Sequence, residues 1–179
     1  VSSENHSVAV AIPELPWSNN TRTKCSRQGK VWKKPGSFEN YVNEVKERLD
    51  VWSIMKHKMP LGNVRIVLVG HSAGGSAIMS ASEEGSLCKI KPEVVVWSDA
   101  SYASWLPRAW ASCLKDPDIE VRVLVRKWDK PHHRAKKFLR KIGKNVENIS
   151  VDILERKSWT HGRIGNSAIW LSGIFEPGC

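Results

Sequence analysis

The stretch that most restricts how this chain can fold is VLVGHSAGGSAIM, residues 67–79. It opens as an apolar, β-branched run and closes on small, helix-compatible residues, with Gly70-His71-Ser72-Ala73-Gly74 between. A backbone that passes straight from strand to helix forces the central residue into a strained, positive-φ conformation and crowds the positions two residues to either side. Glycine at 70 and 74 removes the side chains that would collide there. Ala73, Gly75, Ser76 and Ala77 are all small, so the helix can lie close to the sheet. A Gly-x-Ser-x-Gly pattern alone arises by chance in a chain of this length roughly one time in twenty. Its position between a strand and a helix is what gives it weight.

Around this turn the chain alternates short β-rich runs with helical patterns, which predicts a parallel sheet flanked by helices. The expected strands are residues 7–12, 65–70, 93–98, 120–126 and 150–155. Most are continuous apolar runs, as strands covered on both faces should be. Ser37 can cap a helix with its apolar stripe at Phe38, Tyr41, Val42, Val45, Leu49, Trp52 and Met55. A second helix follows Ser72 and a third spans about 103–114. A fourth, highly basic, runs from Pro131 to Gly143, and the last begins near Asn166. The expected architecture is α/β: a mostly parallel sheet of about five strands with helices on both faces, one domain over residues 1–179.

The chain has 179 residues, 41% apolar and 26% charged, which suits an ordinary globular protein. No apolar run reaches the ~20 residues needed to span a bilayer. The first residues, VSSENHSVAV, read as a processed or truncated start. A net charge of +10 favours polyanionic partners such as an acidic polysaccharide or an anionic cell wall. Nucleic acid is disfavoured, because the densest basic stretch, 132–144, carries the stripe of a packed helix at Ala135, Phe138, Leu139 and Ile142. Cys25, Cys88, Cys113 and Cys179 are widely spaced, which speaks against a zinc or redox motif and fits either two disulfides or four thiols. Two disulfides would place the protein outside the cytosol.

A serine nucleophile requires a base, and the base requires an acid to orient it. Among six histidines, His161 lies between the last expected strand and the last helix, beside the conformationally free Gly162. His71 adjoins Ser72 but points away from it along the chain, as a packing or supporting group would. Two acids end strands: Asp129 after 120–126, and Asp99 after 93–98. Of nine tryptophans, Trp17, Trp105 and Trp159 fall at strand ends where a substrate cleft would form. Trp97 and Trp128 fall there too, while Trp52 and Trp170 read as helix-face packing.

With strand, Gly-His-Ser-Ala-Gly-Gly, helix, and then further strands with an acid and a late histidine, residues 8–175 resemble the α/β-hydrolase superfamily. That resemblance implies a three-layer sandwich and a triad in the order nucleophile, acid, histidine. It implies Ser72 as nucleophile, His161 as base and Asp129, or alternatively Asp99, as acid. The Ala73 N–H would serve the oxyanion, on an elbow of Gly70, His71 and Gly74. Only one strand precedes the elbow, where the superfamily has more. The second oxyanion donor would then come from near Leu15 or Trp17. The implied activity is a secreted serine hydrolase acting on an ester or amide, without metal or organic cofactor. The alternative is an inactive hydrolase-like module that binds an anionic polymer.

Overall fold

In the computed structural model, residues 9–11, 32, 34–143 and 146–171 are described, with backbone only for 169–171. The elements in chain order are α1 (Ser37–His57), β1 (Val67–His71), α2 (Gly74–Glu83), α3 (Ser86–Ile90) and β2 (Val94–Ser98). Then follow α4 (Trp105–Ala109) with a π-helical turn at Trp110–Leu114, β3 (Glu120–Arg126), α5 (Lys130–Ile142), β4 (Ile149–Leu154) and α6 (His161–Leu171). All strand pairs are parallel and the sheet order is β1-β2-β3-β4. The architecture is therefore α/β, with four strands among the described residues. Of the strand expected at 7–12, Ala9 to Ala11 are exposed and unpaired, and the remainder lies outside the described residues. The alternate alanines there give a strand little to pack.

Strand chemistry explains the layering. β2 is buried at all five positions, as a central strand of Val-Val-Val-Trp-Ser should be. Each fully buried valine contributes about 1.5–3 kcal/mol. Successive residues point to opposite faces, and they join two different clusters. Val95, Trp97, Val121, Val123 and Val125 pack with Ile78, Leu87, Leu106 and Phe138 from α2 to α5. Val94, Val96 and Leu124 pack with Ile164 and Ala168 of α6. At Gly75 a Cβ would lie 2.7 Å from the Ala100 carbonyl and 3.2 Å from the Trp97 ring, so glycine there lets α2 seat against the sheet.

The stripe on α1 is buried only in part. Phe38 is buried and Tyr41 and Val42 pack beside it, but Trp52 is 53% and Met55 71% exposed. Trp52 is not core, contrary to expectation, because the helix outruns the elements that cover its first half. Asn148 closes the other end of the sheet. Its Nδ2 lies 3.0, 2.9 and 3.0 Å from the carbonyls of Leu114, Asp116 and Ile119, pinning the turn into β3.

Cys88 and Cys113 form a disulfide with Cα atoms 5.4 Å apart, joining α3 to the π-helical turn. Cys25 and Cys179 lie outside the described residues. The bridge closes a separation of 25 residues, for which chain entropy predicts a stabilisation of about 3 kcal/mol. Denaturant unfolding of Cys88→Ser/Cys113→Ser beside the native chain is expected to show a loss of that order. Among the described residues no helix is long and apolar enough to cross a membrane.

Candidate active site

Among the described residues six non-glycine residues adopt positive φ, and three of them stand just past the carboxyl ends of successive strands. Ser72 follows β1 with φ 53°, Asp99 follows β2 with φ 44°, and Trp128 lies two residues beyond β3 with φ 70°. Such backbones are costly for residues with a Cβ, by about 1–3 kcal/mol each, and concentrate at functional sites. In a parallel sheet this carboxyl edge is also where ligands bind.

Register brings Ser72 and Asp99 together. His71 pairs with Ser98, so the next residues on the two strands are Ser72 and Asp99. The ladder extends one step further, with Ser72 N–H donating to Ser98 O at 3.1 Å and Asp99 N–H to Leu124 O at 2.7 Å. Ser72 is half-buried at the strand-to-helix turn, and Ala73 caps α2 in helical geometry. Within that first turn Gly75 N–H donates to Ser72 O at 3.2 Å and Ser76 N–H to Ala73 O at 2.9 Å, which leaves the Ala73 and Gly74 amides as the ones without a backbone acceptor among the described residues.

His161 is the first residue of α6, not part of a loop ahead of a helix beginning near Asn166. Gly162 and Gly165 obscure the helical pattern, but Thr160 supplies the missing start signal. Its hydroxyl accepts from Arg163 N–H at 3.2 Å and its carbonyl from Ile164 N–H at 3.1 Å, which is N-cap geometry. Ile164 and Ala168 then dock the helix on β2 and β3. The result is that His161 Nδ1 donates to Asp99 Oδ2 at 2.6 Å. Asp99 is fully buried and His161 half-buried. No hydrogen bond joins Ser72 Oγ to His161 among the described residues.

Asp129 is elsewhere. It caps α5 in extended geometry and its carboxylate is held by Arg126, the last residue of β3. Arg126 Nε also stands 3.5 Å from Asp99 Oδ2. The two acids thus face one guanidinium, and only Asp99 reaches the imidazole.

His71 supports the His161 ring from below. The two histidine rings lie 4.5 Å apart between centroids, and His71 Nε2–H donates to the His161 carbonyl at 2.9 Å. Burial, with a smaller effect from His161, lowers the His71 pKa against the opposing pull of that hydrogen bond and Asp99. The ring lies flat on Gly165, where a Cβ would fall 2.6 Å from Nδ1 and 2.8 Å from Cγ. Alanine normally favours a helix over glycine by about 1 kcal/mol. Here the clash wins, because the ring is anchored at its far end. Gly165→Ala is expected to lose about 1–3 kcal/mol in thermal unfolding, and adding His71→Ala should restore most of it.

Of the expected cleft tryptophans, Trp105 is half-buried, with its ring 5.9 Å from Tyr102, whose ring is 6.4 Å from His161. Sequence reasoning overlooked Tyr102. Trp159 packs on the cluster around Val94 and Leu124. Trp17 lies outside the described residues. Trp97 is fully buried, whereas Trp128 is 67% exposed, with Lys127 Nζ 4.8 Å from its ring centroid. Its N–H donates to His132 Nδ1 at 3.2 Å. Burial, then the electrostatic effect of His133, Lys136 and Lys127, lowers the His132 pKa against the opposing pull of Asp129, which suits that acceptor role. Among the described residues no three His, Cys, Asp or Glu side chains converge as a metal site.

The fold and edge chemistry define an α/β chain carrying a serine, a histidine and an aspartate on one parallel-sheet edge. Comparison with family models, curated proteins and solved structures yields no match.

Proposed function

We propose that this chain is a serine hydrolase of α/β-hydrolase type that cleaves a carboxylic ester, or an amide, by acyl transfer through Ser72. The observation that carries the reading is the 2.6 Å contact of His161 Nδ1 with buried Asp99, on the residue next in register to the strained Ser72. Asp99, not Asp129, is the acid in this reading. The opposed apolar clusters around Val95 and Val96 support the three-layer arrangement with helices on both faces.

In the reaction Ser72 Oγ attacks the carbonyl carbon while His161 Nε2 takes the hydroxyl proton. Asp99 holds Nδ1–H and stabilises the imidazolium without taking its proton. The Ala73 N–H donates to the developing oxyanion. His161 returns the proton to the departing alcohol or amine, and water repeats the sequence on the acyl-enzyme. The Cys88–Cys113 disulfide supports an extracytoplasmic setting. The net charge of +10 and the exposed Lys136, Lys137, Arg140 and Lys141 on α5 favour an acidic substrate surface.

A second reading, a polymer-binding module without turnover, is favoured by the lack of a Ser72–His161 hydrogen bond among the described residues. Intact mass after treatment with a fluorophosphonate separates the two. One adduct on the native chain, lost in Ser72→Ala and His161→Ala, is the expected result. An unlabelled native chain would overturn the hydrolase reading in favour of the module.

A further inference from the structure

Arg126 is the charged group on this edge that the reaction leaves without a task. It ends β3, beside the strand that ends in Asp99, and it is largely buried. Its Nε stands 3.5 Å from Asp99 Oδ2, the same oxygen that receives His161 Nδ1–H at 2.6 Å. Its other end is held by the Asp129 carboxylate three residues on. Neither Arg126 Nε nor Asp99 Oδ1, both buried, has a hydrogen-bond partner. Separation at 3.5 Å lies just beyond a good hydrogen bond, so the guanidinium is drawn toward Asp129 and stops short of Asp99.

We propose that Arg126 is a positioning residue, whose guanidinium, shared between Asp99 and Asp129, holds the Asp99 carboxylate on His161 and tempers its charge. The inference rests on the serine-hydrolase reading for its functional meaning, while its electrostatic core can be measured without turnover. One cation against two carboxylates leaves one net negative charge beside the imidazole. Neutralising Asp129 brings that balance to zero, and removing Arg126 makes it −2. Asp129, the acid the superfamily resemblance favours, thus acts on the base indirectly, through Arg126.

Opposite shifts follow. In Asp129→Asn the imidazolium is less stabilised, so His161 should protonate at lower pH than in the native chain. In Arg126→Gln it is more stabilised and should protonate at higher pH. A close charge typically moves a neighbour by one to three units. Acting through Asp99, each change should amount to about half to one unit, or about three- to tenfold in proton affinity. The other groups facing His161 are the same in every variant. Among the described residues they are His71 from β1 and the Tyr102 ring, while the nearby cation on its own helix, Arg163, is turned to Ser158 O at 3.0 Å.

The test is an NMR titration of the His161 imidazole protons in the native chain, Asp129→Asn, Arg126→Gln and Arg126→Lys, with circular dichroism to verify folding. The pH dependence of fluorophosphonate labelling is followed in parallel. Midpoints that move down in Asp129→Asn, up in Arg126→Gln and back toward native in Arg126→Lys are the expected result. Movement of the first two in one direction, or midpoints unchanged in folded variants, would overturn it. Should Arg126→Gln fail to fold, the Asp129→Asn shift decides alone. Titrations that shift as expected in a chain the reagent never labels would sink the hydrolase reading while leaving the Arg126 coupling in place.

Discussion

Ser72→Ala is expected to lower ester turnover by about 10⁴-fold or more, into the residual range that remains when a triad member is removed. The size of the effect follows from chemistry that no neighbour supplies. A nucleophile must sit at the strained turn that opens α2, directly opposite Asp99 when the β1–β2 register is continued. Alanine has a Cβ like serine and faces the same φ of 53°, so the backbone penalty is unchanged. Because Ser72 Oγ makes no hydrogen bond among the described residues, stability should move by less than about 1 kcal/mol. Hydrolysis of a p-nitrophenyl ester, read beside circular dichroism, checks both halves. A variant that folds and still turns over at the native rate would remove Ser72 from the mechanism.

Asp99→Asn should cost about 10⁴-fold in kcat, because an amide in place of the carboxylate leaves the imidazole in the wrong tautomer. The substitution suits the site unusually well as a probe. Asn tolerates the left-handed region better than most residues with a side chain, so the φ of 44° at this position is retained. The guanidinium of Arg126 keeps its contact with Asp129 in the variant. Asp129→Asn, by contrast, removes a partly exposed ion pair within one turn, and should cost less than about tenfold at the rate plateau. Single-turnover rates of both variants at saturating ester provide the comparison. Equal losses, or a larger one in Asp129→Asn, would restore Asp129 to the role the superfamily resemblance suggests.

Much of the fold was legible because it is local. VVVWS reads as a strand buried on both faces and is buried at every position, while VRVLV is buried at all but Arg122. Pro131 and Gly143 bracket α5 as expected, since a proline is tolerated in the first turn and glycine accepts the positive φ of 89° at the stop. The beginning of α6 was misplaced by about five residues. There two glycines lower helix propensity, while the signal that prevails is a single threonine cap backed by burial of Ile164. The spacing of Trp52 continues the α1 stripe, yet the residue is 53% exposed, because spacing carries no information on where the covering elements stop.

The choice between Asp99 and Asp129 shows the division most sharply. Both end a strand and both precede a helical turn, so composition and order treat them alike. What separates them is that β2 lies beside β1 with His71 opposite Ser98, while Arg126 occupies Asp129. His71 and Gly165 are likewise unremarkable 94 residues apart in sequence, until α6 folds back and sets one ring on one bare Cα. The sequence by itself determined the strand-to-helix turn at Ser72 and the alternation of strands and helices, because propensity and periodicity act over a few neighbouring residues. Tertiary structure alone decided which acid meets the histidine, what supports it and which cation it shares, because strand register and the docking of a distant helix set those distances.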